Sequence, residues 1–239
     1  MSSTLSPTSA VPLYRQLKQL LLEQIDNGKL KGGDRLPTES ELCSIYHVGR
    51  NTVRTAINEL VQEGFLIKKQ GKGTFVHMQK IGENITSNLS FSAVCLSNGV
   101  VPSNRLVTVA LHPASPIDLA ALHMAPGSRI MYLARILSAD GVPVIYDRLY
   151  IHEKYSSLIS EPLDNISFYS LLTQKFHITP TRSKKTIELA RANEEEAHLL
   201  NIKKDDPVLL MNEIVYDENN DPVHRTKQII LGDRFKYEI

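Results

Sequence analysis

No apolar run in this 239-residue chain approaches the roughly 20 residues that a membrane-spanning helix needs, so no membrane association is expected. The opening stretch, MSSTLSPTSAVP, lacks the basic segment and apolar core of a secretion signal, and residues 1–11 read as a short disordered arm. Cysteine is scarce: Cys43 and Cys95 are too few and too far apart for a disulfide framework or a zinc site, and a reducing cytoplasm is the expected compartment. Gly-rich phosphate loops of the P-loop or Rossmann type are missing. His112, His123, His152, His177, His198 and His224 are scattered without metal-ligand spacing or a partnered Ser or Cys motif. Neither a metal nor a cofactor is therefore expected, and no repeat of solenoid type appears. What remains is an ordinary globular composition, 42% hydrophobic and 22% charged, in a chain long enough for two domains with separate cores.

The net charge of +1 conceals an asymmetry. Residues 12–80 hold 11 Lys and Arg against 7 Asp and Glu, whereas residues 81–239 hold 16 against 19. A basic first third on an acidic remainder suits a nucleic-acid-binding module joined to a domain with another task. Uneven solvation of two ordinary domains explains the charge equally well.

The first eighty residues are more specific. Leu13, Leu17, Leu20, Leu21 and Ile25 recur at helical spacing between Pro12 and Gly28. Thr38 then opens a helix with Glu41 three residues on, a capping box, and Leu42 and Ile45 are expected on its buried side. That helix stops near His47, and a four-residue break leads into a third helix with the stripe Val53, Ala56, Ile57, Leu60 and Val61. Two short helices across a tight turn make a helix-turn-helix. The front of the second reads Gly49, Arg50, Asn51, Thr52, Arg54. There Arg can bond guanine bidentately, Asn can bond adenine, and Thr52 and Thr55 can bond phosphate. Alone, such a face is equally a solvated one. After Gly64, however, FLIKKQGKGTFVHM reads as two strands around a turn with Lys68, Lys69 and Lys72 at its tip, and with Gly71 and Gly73 permitting close backbone approach. A basic hairpin directly after three helices of this size is a wing.

The ordered set LPTESEL, NTVRTAI, EGFL and GKGTFV resembles the DNA-binding domain of the GntR family of repressors. The resemblance implies a winged helix-turn-helix over residues 12–77 in which Arg50, Thr52, Arg54, Gly71 and Lys72 meet operator DNA; Asn51 on the helix and Lys69 and Gly73 in the wing complete the expected DNA-binding set. Ser40 stands where many members carry Arg, which implies a different operator preference.

Residues 78–88 (MQKIGENITSN) are polar and patternless and read as a linker. Beyond them the pattern gives a short helix ending at Gly99, a strand in RLVTVALHP and a helix in PIDLAALHM. A hairpin turned at Asp140-Gly141, a helix in FYSLLTQKF and a strand in KKTIELARA follow. A helix capped by Asn193 with Glu196 and a last hairpin turned at Asn219-Asn220-Asp221 complete it. The expected domain, residues 89–239, is α+β: a mostly antiparallel sheet with helices on one side. The helix with NLSF, the ADGVP hairpin, NEEEAHLLNIKKDDPVLLMNEIVY and the terminal LGDRF resemble the effector-binding (UTRA-like) domain of the HutC subfamily, which implies a chorismate-lyase-like fold.

In subfamily members that sense phosphorylated sugars, the resemblance implies an anion site that maps here onto Ser90, Arg135, Ser167 and Tyr169. Leu137 replaces a second Arg, Asp147 a longer Glu, and His224 stands where a second Glu often sits. One Arg, two hydroxyls and a helix N-terminus still suit a phosphate or carboxylate. Arg135-x-Leu137, Asp147 and Pro222-Val223-His224 look most like the repressors of fructosamine operons, which implies a phosphorylated sugar–amino-acid effector with Asp147 available for its ammonium. The alternatives at these positions are a purely structural Arg135–Asp147 pair and a surface position for His224.

The expected molecule is thus a homodimeric, ligand-responsive repressor on a near-palindromic operator, since one head reads only a half-site. Two alternatives stay open: a lyase-like enzyme, distinguished by turnover of a ligand, and an effector-independent DNA-binding protein, distinguished by an operator complex that no metabolite changes.

Overall fold

The computed structural model describes residues 5–77 and 80–238, and the chain divides into two compact units between residues 79 and 80. The first four residues of the expected arm, and Met78 and Gln79 of the expected linker, lie outside the described residues.

The first unit is built from α1 (Leu13–Asp26), α2 (Glu39–Tyr46), α3 (Arg50–Gln62) and a hairpin of β1 (Leu66–Lys69) and β2 (Gly73–Val76). Leu17 and Leu21 from α1, Leu42 from α2, and Val53, Ala56, Ile57 and Leu60 from α3 bury one face each in a common core. Each such large aliphatic side chain contributes about 1.5–3 kcal/mol when taken fully from water. α2 starts on the expected capping box: Glu41 N donates to Thr38 Oγ1, and Thr38 N donates to Glu41 Oε2 at 2.7 Å. It stops at His47, which turns left-handed at φ 54°. Two expectations change. Ile45 is 55% exposed, because α2 turns Leu42, Cys43 and Tyr46 toward the core and leaves Ile45 on the flank. Residues 5–11 fold back rather than trail as a disordered arm. Gln16 Oε1 accepts from Ser6 N, its Nε2 donates to the carbonyls of Ser6 and Val11, and Leu5 packs on the core.

The second unit contains β3 (Ile81–Asn84), α4 (Phe91–Ser97), β4 (Pro102–Pro113), α5 (Pro116–Ala121), β5 (Arg129–Ala139) and β6 (Val142–His152). A 3-10 segment (Glu153–Ser160), α6 (Phe168–Phe176), β7 (Arg182–Arg191) and α7 (Glu194–Leu200) follow, and β8 (Pro207–Tyr216), β9 (Pro222–Ile230) and β10 (Phe235–Glu238) end it. Six strands form an antiparallel sheet in the order β4-β5-β6-β9-β8-β7. Asp140 (φ 50°) and Gly141 (φ 77°) make the tight β5–β6 turn, whose two positive φ values match the strand twist.

Here too the structure corrects the sequence reading. Helices cover both faces of the sheet, not one. Met131, Leu133 and Leu149 pack with α6 on one face, while Ala134, Ile136 and Tyr146 pack with α7 on the other. β5 is apolar at both parities, the pattern of a strand buried on two sides. The expected linker 78–88 contains β3, which pairs in parallel with β10, buries Ile81, and has the backbone of Gly82 bracketed by the Asn98 amide. Ile81 is a single apolar residue in a polar stretch, and its partner strand lies at the other end of the domain.

Candidate nucleic-acid interface and ligand cavity

α3 begins at Gly49, whose extended backbone (φ −71°, ψ 155°) supplies no side-chain cap, so the amides of its first turn stay open to an anion. Arg50, Asn51 and Arg54 are exposed, and Thr52 is half-buried against the helix. Arg54 meets Glu39 at 3.3 Å in a solvent-exposed pair, which is weak and easily exchanged for a phosphate. In the wing, Lys69 lies 5.2 Å from the Phe75 ring centre, and Lys72 and Gly71 are exposed at the turn. Lys68 is tied to Asn58 at 2.8 Å.

Gly73 (φ 117°) has a specific reason to be glycine, because a Cβ there would stand 3.0 Å from Arg35 Nε. Arg35 is a cation that sequence reasoning passed over. It forms a bridge with Phe75, flanked by Leu36 N to Thr74 O and Val76 N to Asp34 O, so residues 34–36 line the wing as a third strand. In sequence it looks like part of the KGGDRLP turn.

The second unit holds an inner cavity on the α6 face of the sheet. Two cross-strand rows form its floor. One runs Arg135, Asp147, Gln228, Met211 across β5, β6, β9 and β8; the next runs Leu149, Thr226, Glu213, Lys185 across β6, β9, β8 and β7. Ser90 and Ser167, the N-caps of α4 and α6, join Tyr169, Asn104 and Glu83 around it. All six residues expected from sequence, Ser90, Arg135, Asp147, Ser167, Tyr169 and His224, line this one cavity. Glu83, Asn104, Lys185, Glu213, Thr226 and Gln228 were missed. Glu83 sat in the supposed linker, while the Lys185–Glu213 register is visible only once β7 and β8 pair.

One assignment needs correction, and one of the alternatives does not hold. Asp147 is not available for an ammonium. Its Oδ2 takes Arg135 Nε and Nη2, both at 2.9 Å, and its Oδ1 takes Thr226 Oγ1 at 2.8 Å and Gln228 Nε2 at 3.0 Å. His224 is not on the surface: it is 2% exposed, edge-on to Phe168 and Tyr169, and its Nδ1 has no hydrogen-bond partner. Burial, and to a lesser degree Arg135, lowers its pKa to about 4 against the pull of Asp147, so the ring is neutral. Asn104 Oδ1 is likewise buried and unpaired, although its Nδ2 donates to Ile166 O. Burial raises the carboxyls of Glu83 and Glu213 above the usual carboxylate range, with Lys185 opposing, and holds the Tyr169 phenol neutral. The cavity can accept from and donate to a polar ligand through groups already stripped of water.

A basic three-helix head with a wing, followed by a sheet domain around a polar cavity, defines a DNA-binding regulator with a ligand-sensing domain. Residues 13–76 match the gntR family of bacterial regulatory proteins and residues 97–236 match the UTRA domain, and the chain belongs to the GntR family in its UTRA-containing branch. It is 31% identical to an uncharacterized HTH-type transcriptional regulator, YurK, of Bacillus subtilis (97% of this chain, 96% of that one). It is 30% identical to a probable fructoselysine utilization operon transcriptional repressor of Escherichia coli (95% and 93%). The crystal structure of PhnF from Mycobacterium smegmatis superimposes with a TM-score of 0.67 at 26% identity (92% and 96%). The first two of these are named a regulator and a repressor, and this chain is a regulator rather than an enzyme. Among the described residues no helix is long and apolar enough to cross a membrane.

Proposed function

We propose that this chain represses a sugar or sugar-amine catabolic operon and is released by an anionic effector, a phosphorylated sugar or fructosamine phosphate. Two copies bind a near-palindromic operator through Arg50, Asn51, Thr52 and Arg54 on α3 and Lys69, Gly71, Lys72 and Gly73 in the wing. The effector occupies the cavity, with its anion near Arg135, Ser90, Ser167 and Tyr169. Arg135 meets Asp147 through Nε and Nη2, so Nη1 is the nitrogen it can turn to a ligand.

The observation that carries this reading is the cavity itself, which gathers Arg135, Ser90, Ser167 and Tyr169 around the partnerless Nδ1 of His224. A neutral imidazole nitrogen, fully desolvated and without a partner, is costly unless something occupies the cavity that it lines. The relation to a fructoselysine operon repressor supports the chemical class. The test is an electrophoretic shift of the gene's own upstream region by the full-length chain, titrated with hexose and fructosamine phosphates. A specific complex dissolved by one of them is expected. A complex that none of them changes would overturn the effector class, and no complex at physiological salt would overturn the regulator reading.

A further inference from the structure

The cations around the wing are not equally engaged. Lys68 is tied to Asn58 at 2.8 Å and Lys69 lies over the Phe75 ring. Arg35 and Lys72 are exposed, and among the described residues the Arg35 guanidinium makes no hydrogen bond or ion pair. The two carboxylates of the first turn of α2 are taken elsewhere. Glu39 meets Arg54 at 3.3 Å, and Glu41 accepts from Thr38 N at 2.7 Å and Thr38 Oγ1 at 2.8 Å. Arg35 is nevertheless fixed in place. Its bridge with Phe75, flanked by Leu36 N on Thr74 O and Val76 N on Asp34 O, lays residues 34–36 along β2. The guanidinium lies over Gly73, where β2 leaves the turn, with Nε 3.0 Å, Nη2 3.5 Å and Cζ 3.6 Å from the place a Cβ would take. Glycine leaves that space and tolerates the φ of 117°. Arginine and turn therefore form one unit, and whatever the turn approaches, Arg35 approaches too. Beside it, Thr38, Ser40 and Ser44 line the same surface groove.

We propose that Arg35 is a further operator-binding residue, forking onto a backbone phosphate beside the wing turn. The inference rests on the reading of the head as operator-binding given above and adds a residue to that surface. A planar guanidinium matches two phosphate oxygens at once, and one already held against Gly73 gives up less freedom on binding than a trailing side chain. The contact is to the backbone rather than to a base. Arg35 projects from the strand that flanks the wing and not from the front of α3, and the hydroxyls around it are of the kind that meet phosphate oxygens. Arg35 then adds to affinity and salt dependence and leaves the choice of sequence to α3.

The test is fluorescence anisotropy of the full-length chain on two labelled duplexes, the gene's own upstream region and an unrelated sequence of equal length, over a series of salt concentrations. Arg35→Gln is expected to weaken both complexes alike, by about tenfold, and to lower the slope of log affinity against log salt by about 1. Arg35→Lys is expected to keep that slope, because it keeps the charge, and to recover only part of the affinity, because an ammonium cannot fork. Affinity lost in Arg35→Gln without a change of slope would reduce Arg35 to a prop for the wing and overturn the inference, as would no loss at all. Loss confined to the upstream region would make Arg35 a base reader and overturn the backbone contact. Should Arg35→Gln fail to fold, single methylphosphonates placed along the operator decide the matter with Arg35→Lys. That variant is expected to lose less than the parent at one phosphate and the same at the others, and equal losses throughout would overturn the contact. Failure of the unmodified chain to bind either duplex would instead overturn the operator-binding reading on which the inference stands.

Discussion

Arg135 and Asp147 show how much one pair in a dry cavity can decide. Removing only the cation leaves a carboxylate buried with two neutral donors, Thr226 and Gln228, so Arg135→Ala should cost about 3–5 kcal/mol of stability. Adding Asp147→Asn should recover most of that in urea denaturation, and a double variant no more stable than the single one would show that the pair is not coupled. His224 gives a pH signature. Unfolded, its ring takes a proton near 6.5; buried, it holds out to about 4. Between those values the unfolded chain binds more protons, so the stability is fully present above the upper value and is lost as pH falls toward the lower one. The loss is on the order of 3 kcal/mol, and Glu83 and Glu213, which hold their protons longer folded than unfolded, oppose part of it. The difference in melting between pH 7 and pH 4.5 should therefore be smaller in His224→Gln than in the parent; an unchanged difference would contradict the buried, neutral ring.

Among the elements, the wing is sensitive to a single methyl group. Gly73→Ala would combine a φ of 117° with a Cβ 3.0 Å from Arg35 Nε, at a cost of about 1–3 kcal/mol. Weaker operator binding with an unchanged ligand titration is the expected result, and full operator affinity would argue against a wing contact. The hairpin itself was legible in sequence because its signals are local: glycines and lysines at the turn, and short apolar stretches on either side of it. The same holds for the capping boxes of α2 and α7 and for the Asp140-Gly141 turn. What stayed hidden depends on distant partners. β3 exists because β10 lies beside it, Arg35 joins the wing through pairing with Phe75, and Glu213 meets Lys185 only across two strands. His224 stood in a correctly identified strand, but alternation alone does not say which face of a doubly covered sheet holds a cavity.

At the scale of the molecule, a basic head and an acidic sensing domain divide the work. Phosphate contacts set affinity and salt dependence, whereas base contacts set preference. Lys72→Ala should weaken binding to all sequences alike and lower the slope of log affinity against log salt by about 1. Arg50→Ala should erode the preference for the operator over unrelated DNA; if both substitutions act identically, the division of roles is wrong. The central claim is that the two units are energetically linked, and linkage is reciprocal: if effector weakens operator binding by some factor, operator must weaken effector binding by the same factor. The most direct test is to titrate the effector into the full-length chain by calorimetry, with and without saturating operator. The account predicts an affinity lower by roughly 5–150-fold when operator is bound; an affinity indifferent to the operator would contradict it.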